Sequence, residues 1–160
     1  QRTVTTMTLS SMKEQAEKER LAEHDRKGNG HGTDQYGKIS LKSTNEFRKT
    51  QGKGALEWCQ ELCNIAFEHS KNMGNGKVKL GHDGFDGRQK AVTYAYLSFA
   101  ENVAMTSESD AKQAAKTAVE LWINSPGHRR NLVGDFTNCG IGVYWNGKGY
   151  YFTQLFSKKS

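Results

Sequence analysis

Proline is almost missing from this chain of 160 residues, Pro126 being the one instance, and no internal repeat or low-complexity segment divides it. The length therefore fits one domain around a single core. No apolar run approaches the length needed to span a bilayer, which excludes a transmembrane helix from the sequence as it stands. Cysteine is scarce as well: Cys59, Cys63 and Cys139 permit one disulfide with a thiol left over, or three buried thiols acting as small apolar residues. No Lys/Arg cluster is interleaved with aromatics as a nucleic-acid platform requires. Two compact catalytic signatures are also missing, the helical HExxH pair of metalloproteases and the GxSxG elbow of hydrolases.

Charge is present in excess of one sign. Lys plus Arg number 23 against 17 Asp plus Glu, giving +6 and a pI near 9.2. Such a surface favours anionic partners such as acidic glycans, lipid headgroups or nucleic acid, but a solvated basic exterior is the preferred reading. The chain begins at Gln1 without a methionine, the pattern of a processed or trimmed N-terminus.

Residues 1–42 form a polar N-terminal arm. Ser11 to Arg26 carries Met12, Ala16, Glu19 and Ala22 at helical spacing, and Gly28-Asn-Gly-His-Gly32 breaks the pattern. His24 and His31 fall in this arm and read as solvent-exposed. The spacing then predicts a helix from Asn45, with Ser43 or Thr44 as N-cap, whose stripe Trp58, Leu62, Ile65, His69, Met73 is apolar and half-buries His69. Gly74-Asn-Gly76 ends it. Ala91 to Phe99 is apolar without a decisive period. Ala111 to Asn124 reads as a helix capped from Ser107-Glu-Ser-Asp110, and Pro126 closes it and opens a short second one. Cys139–Trp145 and Tyr150–Phe156 are β-rich runs joined by Asn146-Gly-Lys-Gly149, a hairpin signal. Helices first and a hairpin last indicate an α+β chain with the domain at 43–160.

The most informative residues are Glu101-Asn-Val-Ala104 and Trp122-Ile-Asn-Ser-Pro-Gly-His-Arg-Arg-Asn-Leu132. With Asn45-Glu-Phe-Arg48, Gly52, Leu56-Glu-Trp58, Leu62 and Ala66 upstream, and Gly140-Ile-Gly-Val143 and Tyr150 to Phe156 downstream, the chain resembles the CAP superfamily over residues 43 to 157. This superfamily, also called SCP/TAPS, contains cysteine-rich secretory proteins, antigen 5 and pathogenesis-related 1 proteins. The Ser125-Pro-Gly-His-Arg129 form is similar to that of its microbial members. The resemblance implies a three-layer α-β-α sandwich ending in a β-hairpin and a secreted, extracellular location. It also makes a bridge from Cys139 to Cys59 or Cys63 plausible.

The family cleft holds two His and two Glu. Laid on this chain, the resemblance implies a binding cleft of His69, His82, Glu101, Ser125 and His128. His69 is an additional, packed histidine, and Ser125 stands where the second Glu is usual. Glu120 points elsewhere on its helix and is no substitute. His82, Glu101 and His128 make a candidate set for Zn2+ or another divalent cation, because two imidazoles and a carboxylate suit such an ion with a position left for water. A metal-free His–Glu–His hydrogen-bond network is the alternative. Arg129, Arg130 and Asn131 are expected to anchor the short helix through loop carbonyls, and Arg88 to do the same at the cleft rim. A dense hairpin face of Tyr144, Trp145, Tyr150, Tyr151 and Phe152 reads as core plus ordinary surface, or else as a ligand-contacting face.

The expected function is that of a secreted protein binding a lipid, sterol or glycan-like ligand in host interaction, defence or virulence, with no nucleic-acid partner. A metal-dependent hydrolase using Glu101 as general base is one alternative, and a non-catalytic adhesion module is another. Ser125 beside His128 and Cys with His are unsupported as nucleophile pairs.

Overall fold

Ser40, Thr44 and Arg48 are polar, yet at helical spacing with Gly37 and Leu41 they form the buried stripe of a helix. The computed structural model describes residues 8–26 and 32–160, with the side chains of 21–26 excepted. His31 and the side chain of His24 lie outside the described residues. The elements in chain order are α1 (Leu9–Arg26), α2 (Asp34–Thr50), β1 (Glu57–Trp58), α3 (Gln60–Gly74) and α4 (Phe85–Lys90). They continue with β2 (Tyr96–Thr106), α5 (Ala111–Ile123), α6 (Pro126–Leu132), β3 (Asn138–Trp145) and β4 (Tyr150–Lys159).

The four strands form one sheet in the order β1-β3-β4-β2. β1 runs parallel to β3 and the other pairs are antiparallel. Helix α3 covers one face, while α2 and α5 pack on the other. The fold is thus α+β, a three-layer α-β-α sandwich closed by the β3–β4 hairpin. Asn146 makes that hairpin turn: its Oδ1 accepts from Lys148 N at 2.8 Å and Gly149 N at 2.9 Å, and Gly147 takes φ 93°.

Strand alternation fixes which side chains meet which layer. Gly140 and Gly142 face α3, where a Cβ on either would collide with the backbone of Cys63 or Phe67. Cys139, Ile141 and Val143 point the opposite way, into the larger core with Trp122, Phe152 and Phe156. This geometry accounts for the cysteines. All three are free and buried, so the expected bridge is not formed: Cys139 belongs to the α2/α5 side of the sheet and Cys59 to the α3 side. Cys63 Sγ instead donates toward Asp34 Oδ1 and Ile141 O, each at 3.3 Å. Burial pushes the Cys139 thiol up to about 12 and raises that of Cys63 further, so both stay protonated.

Two expectations about elements need correction. The helix expected from Asn45 begins eleven residues earlier at Asp34 and stops at Thr50, so Trp58 lies in β1 and the His69 stripe belongs to the separate α3. Gly52, at φ 71°, turns the chain between them. The expected boundary at residues 42 and 43 consequently falls inside α2, and Tyr36 and Leu41 are core residues. Polar side chains hold this helix. Ser40 Oγ donates to Ala115 O at 2.7 Å, Thr44 Oγ1 accepts from Gln154 Nε2 at 3.0 Å, and Arg48 Nη1 donates to Leu132 O and Gly134 O at 2.8 and 2.9 Å. A stripe of small polar groups bonded to backbone leaves little hydrophobic periodicity to find. Helix α1 docks more lightly, with the buried Lys18 ammonium 5.9 Å from the Trp145 ring centroid and 3.0 Å from Glu14 Oε1.

Candidate functional site

Strand β2 carries Glu101 and Asn102 into the interior, because its burial switches there from partly open to closed. Asn102 is fully buried and ties the short helix to the sheet: its Nδ2 donates to His128 O and to Gln154 Oε1, both at 3.2 Å, and its Oδ1 accepts from Asn131 Nδ2 at 2.9 Å. Asn131 also donates to Glu101 O at 3.2 Å. Pro126 opens α6 at its first turn, where a missing N–H costs nothing, and the asparagine pair then presents His128 beside the middle of β2. Asn131 is the anchor expected of this helix. Arg129 adds only a 3.4 Å contact to Ile123 O.

The Glu101 side chain is 1 % exposed, and every interaction of its carboxylate is with a nearby cation or ring. Oε1 accepts from His82 Nδ1 at 2.8 Å and from Arg88 Nη2 at 2.8 Å, and Oε2 accepts from Arg88 Nε at 2.5 Å. His82 thereby carries its proton on Nδ1, and its Nε2 has no hydrogen-bond partner among the described residues. The His82 side chain is 51 % exposed, so the ring stands at the mouth of the site over a buried acid.

His69 occupies the floor. Its Nε2 lies 2.7 Å from Gly81 O, which can only accept, so Nε2 bears the hydrogen and Nδ1 receives Arg88 Nη1 at 3.1 Å. This neutral tautomer agrees with the lowered His69 pKa, caused first by burial and then opposed by the Gly81 bond, with Arg88 lowering it again. His128 has a lowered pKa too, through burial and the neighbouring His82. The His128 carbonyl, bonded to Asn102 Nδ2, sets this residue beside the strand position next to Glu101. Ser125 is the residue before Pro126, half-buried and without a cap hydrogen bond from its side chain.

The structure therefore brings His69, His82 and Glu101 into one bonded network, with His128 beside it. The residue whose role the sequence reading understated is Arg88. It does bond rim carbonyls, Asp83 O at 2.8 Å and His82 O at 3.2 Å, but its main partner is Glu101. The Gly84-Phe-Asp-Gly-Arg88 start of α4 offers no motif that announces this.

The donor set for a divalent cation does not fit as expected. Both Glu101 oxygens and the free nitrogen of His69 are engaged by Arg88, and among the described residues no three His, Cys, Asp or Glu side chains are grouped to hold a metal ion. Beside the network, between α3 and α4, lies a groove of about 500 Å3 with Ile65, Val78 and Ala91 on its apolar side and His69 and Arg88 on its polar side. No helix among the described residues is long and apolar enough to cross a membrane.

Comparison with known proteins agrees with the fold. Residues 41–156 match the model of the cysteine-rich secretory protein family, CAP. A membrane protein of Bacillus subtilis named YlbC, described as uncharacterized, is 32 % identical over 135 residues, which cover 74 % of this chain and 33 % of that protein. The chain thus spans about a third of that relative's length. Among solved structures, an outer surface protein of Borrelia burgdorferi superposes with a TM-score of 0.67 at 22 % identity, over 80 % of this chain and 96 % of that one. An extracellular SCP-domain protein of Bacillus anthracis does so with a TM-score of 0.55 at 27 % identity, over 98 % of this chain and 45 % of that one.

Proposed function

Because this chain belongs to the cysteine-rich secretory protein (CAP) family, we propose that it is an extracellular binding module whose cleft takes a small ligand at His82 and His128. The observation that carries this reading is the pairing of fixed and free groups. Glu101, Arg88 and His69 are locked in mutual hydrogen bonds, whereas His82 Nε2 and the His128 ring have no partner among the described residues. Locked groups orient, and unpartnered ones recognise. The groove beside the network, lined by Ile65, Val78 and Ala91 with Glu68, Asp83, His69 and Arg88 at its polar side, suits the body of a lipid or sterol whose hydroxyl head reaches toward the imidazoles; an acidic glycan is the polar counterpart. The extracellular setting is supported by the Bacillus anthracis relative, which is an extracellular protein.

A hydrolase reading asks Glu101 to act as general base. Its two oxygens would first have to leave Arg88 and His82, which occupy both of them. Binding without turnover is therefore the favoured reading. Calorimetric titration with a sterol, a long-chain fatty acid and an acidic oligosaccharide tests it. One class should bind wild type and bind His82→Ala and His128→Ala far more weakly. Binding by none of the three, or binding that survives both substitutions, would sink the proposal.

A further inference from the structure

We propose that Arg88 is the built-in cation of this cleft and keeps divalent metal away from Glu101. A carboxylate buried to 1 % exposure requires a compensating positive charge, and without one it would neutralise or destabilise the fold. Arg88 supplies that charge permanently, since a guanidinium is not deprotonated in proteins. Its side chain is itself 11 % exposed.

The hydrogen-bond count closes. A guanidinium has five N–H donors, and Arg88 has five acceptors: Nε donates to Glu101 Oε2, Nη2 to Glu101 Oε1 and His82 O, and Nη1 to His69 Nδ1 and Asp83 O. Three of these acceptors, the two Glu101 oxygens and the His69 Nδ1 lone pair, are what a divalent ion would seek. Arg88 thus occupies both carboxylate oxygens and one imidazole nitrogen and leaves a positive charge where the ion would arrive. Among the described residues, what remains in the cleft for a metal is His82 Nε2 and His128, two imidazoles where catalytic zinc sites use three protein ligands. The inference concerns the same cleft as the ligand reading but does not depend on it, because its test uses zinc alone.

The deciding measurement is the Arg88 Nε–H resonance of wild type, followed by NMR during a zinc titration. Zinc at saturation should leave that resonance in place, whatever the His82 and His128 ring signals do. Displacement of the Arg88 signal as zinc takes Glu101 would overturn the proposal. Arg88→Met gives the complementary readout. With the carboxylate and His69 Nδ1 released, zinc measured by calorimetry should bind about tenfold or more tightly than to wild type. Arg88→Met combined with Glu101→Gln should lose most of that gain. A folded Arg88→Met that binds zinc no better than wild type would also refute the idea. Should Arg88→Met fail to fold, the wild-type resonance alone decides.

Discussion

His69 shows how one buried ring reports its surroundings. Burial and Arg88 hold its pKa below the ordinary histidine value, so near pH 6 the unfolded chain takes up a proton there that the folded protein refuses. The stabilising contribution is therefore complete above about pH 6.5 and declines as pH falls through that unfolded value. An NMR titration should place the His69 midpoint below that of a histidine in a denatured peptide, and wild type should melt at a lower temperature at pH 5 than at pH 7. His69→Asn should flatten part of that slope; an unchanged slope would assign the pH dependence to other groups. The cysteines make a second residue-scale test. Oxidised protein in denaturant without reductant should react with three equivalents of a thiol reagent, and native protein should react slowly, since all three thiols are buried. One equivalent in denaturant would restore the bridge that the family resemblance suggested.

Helices α2 and α3 meet the sheet in different ways, and their substitution costs should differ accordingly. α3 lies directly on the two glycines of β3, so Gly142→Ala forces a methyl group into the Phe67 backbone. The usual entropic gain of replacing a strand glycine, about 0.5–1 kcal/mol, is outweighed by overpacking of at least about 1–3 kcal/mol. Gly127→Ala in α6 is the control, because nothing lies within 4 Å of the added carbon; it should be neutral or slightly stabilising. Urea unfolding of both variants measures the contrast, and equal stabilities would disprove the close approach. α2 instead relies on polar ties. Arg48→Met leaves the carbonyls of Leu132, Gly134 and Gly54 without their donor and should cost about 3 kcal/mol on the same measurement. Neither arrangement shows in hydrophobic periodicity, one being made of glycine and the other of serine, threonine and arginine.

At the scale of the whole molecule, the N-terminal third is partly scaffold. Deleting residues 1–31 removes α1, which among the described residues docks through Lys18 over the Trp145 ring, and should change stability by about 1 kcal/mol or less. Deleting residues 1–41 removes Tyr36, Ser40 and Leu41 from the core and the first half of α2, and should abolish cooperative unfolding. Thermal melts of the two truncations check this, and a stable 42–160 fragment would return the domain boundary to within a residue of the 43–160 expected from the sequence.

The sequence by itself determined the α+β class, the family, α5 with its proline-started successor and the hairpin, because each is written in local signals: a capping aspartate, Pro126 at a first helical turn, Asn146-Gly147 between β-rich runs. It also named His69, His82, Glu101 and His128 by their place in motifs. Only the tertiary structure decided what those residues are to one another. Arg88 lies 13 positions before Glu101 and 19 after His69, and its pairing with both arises from α4 folding back over β2 and α3, a long-range fact with no periodic trace. The same holds for α2, whose stripe becomes a core face only where Ala115, Gln154 and Leu132 arrive to meet its polar groups. Local patterns specify elements through propensity and caps. Which lone pair is taken, and which strand face a cysteine occupies, depends on how the layers close.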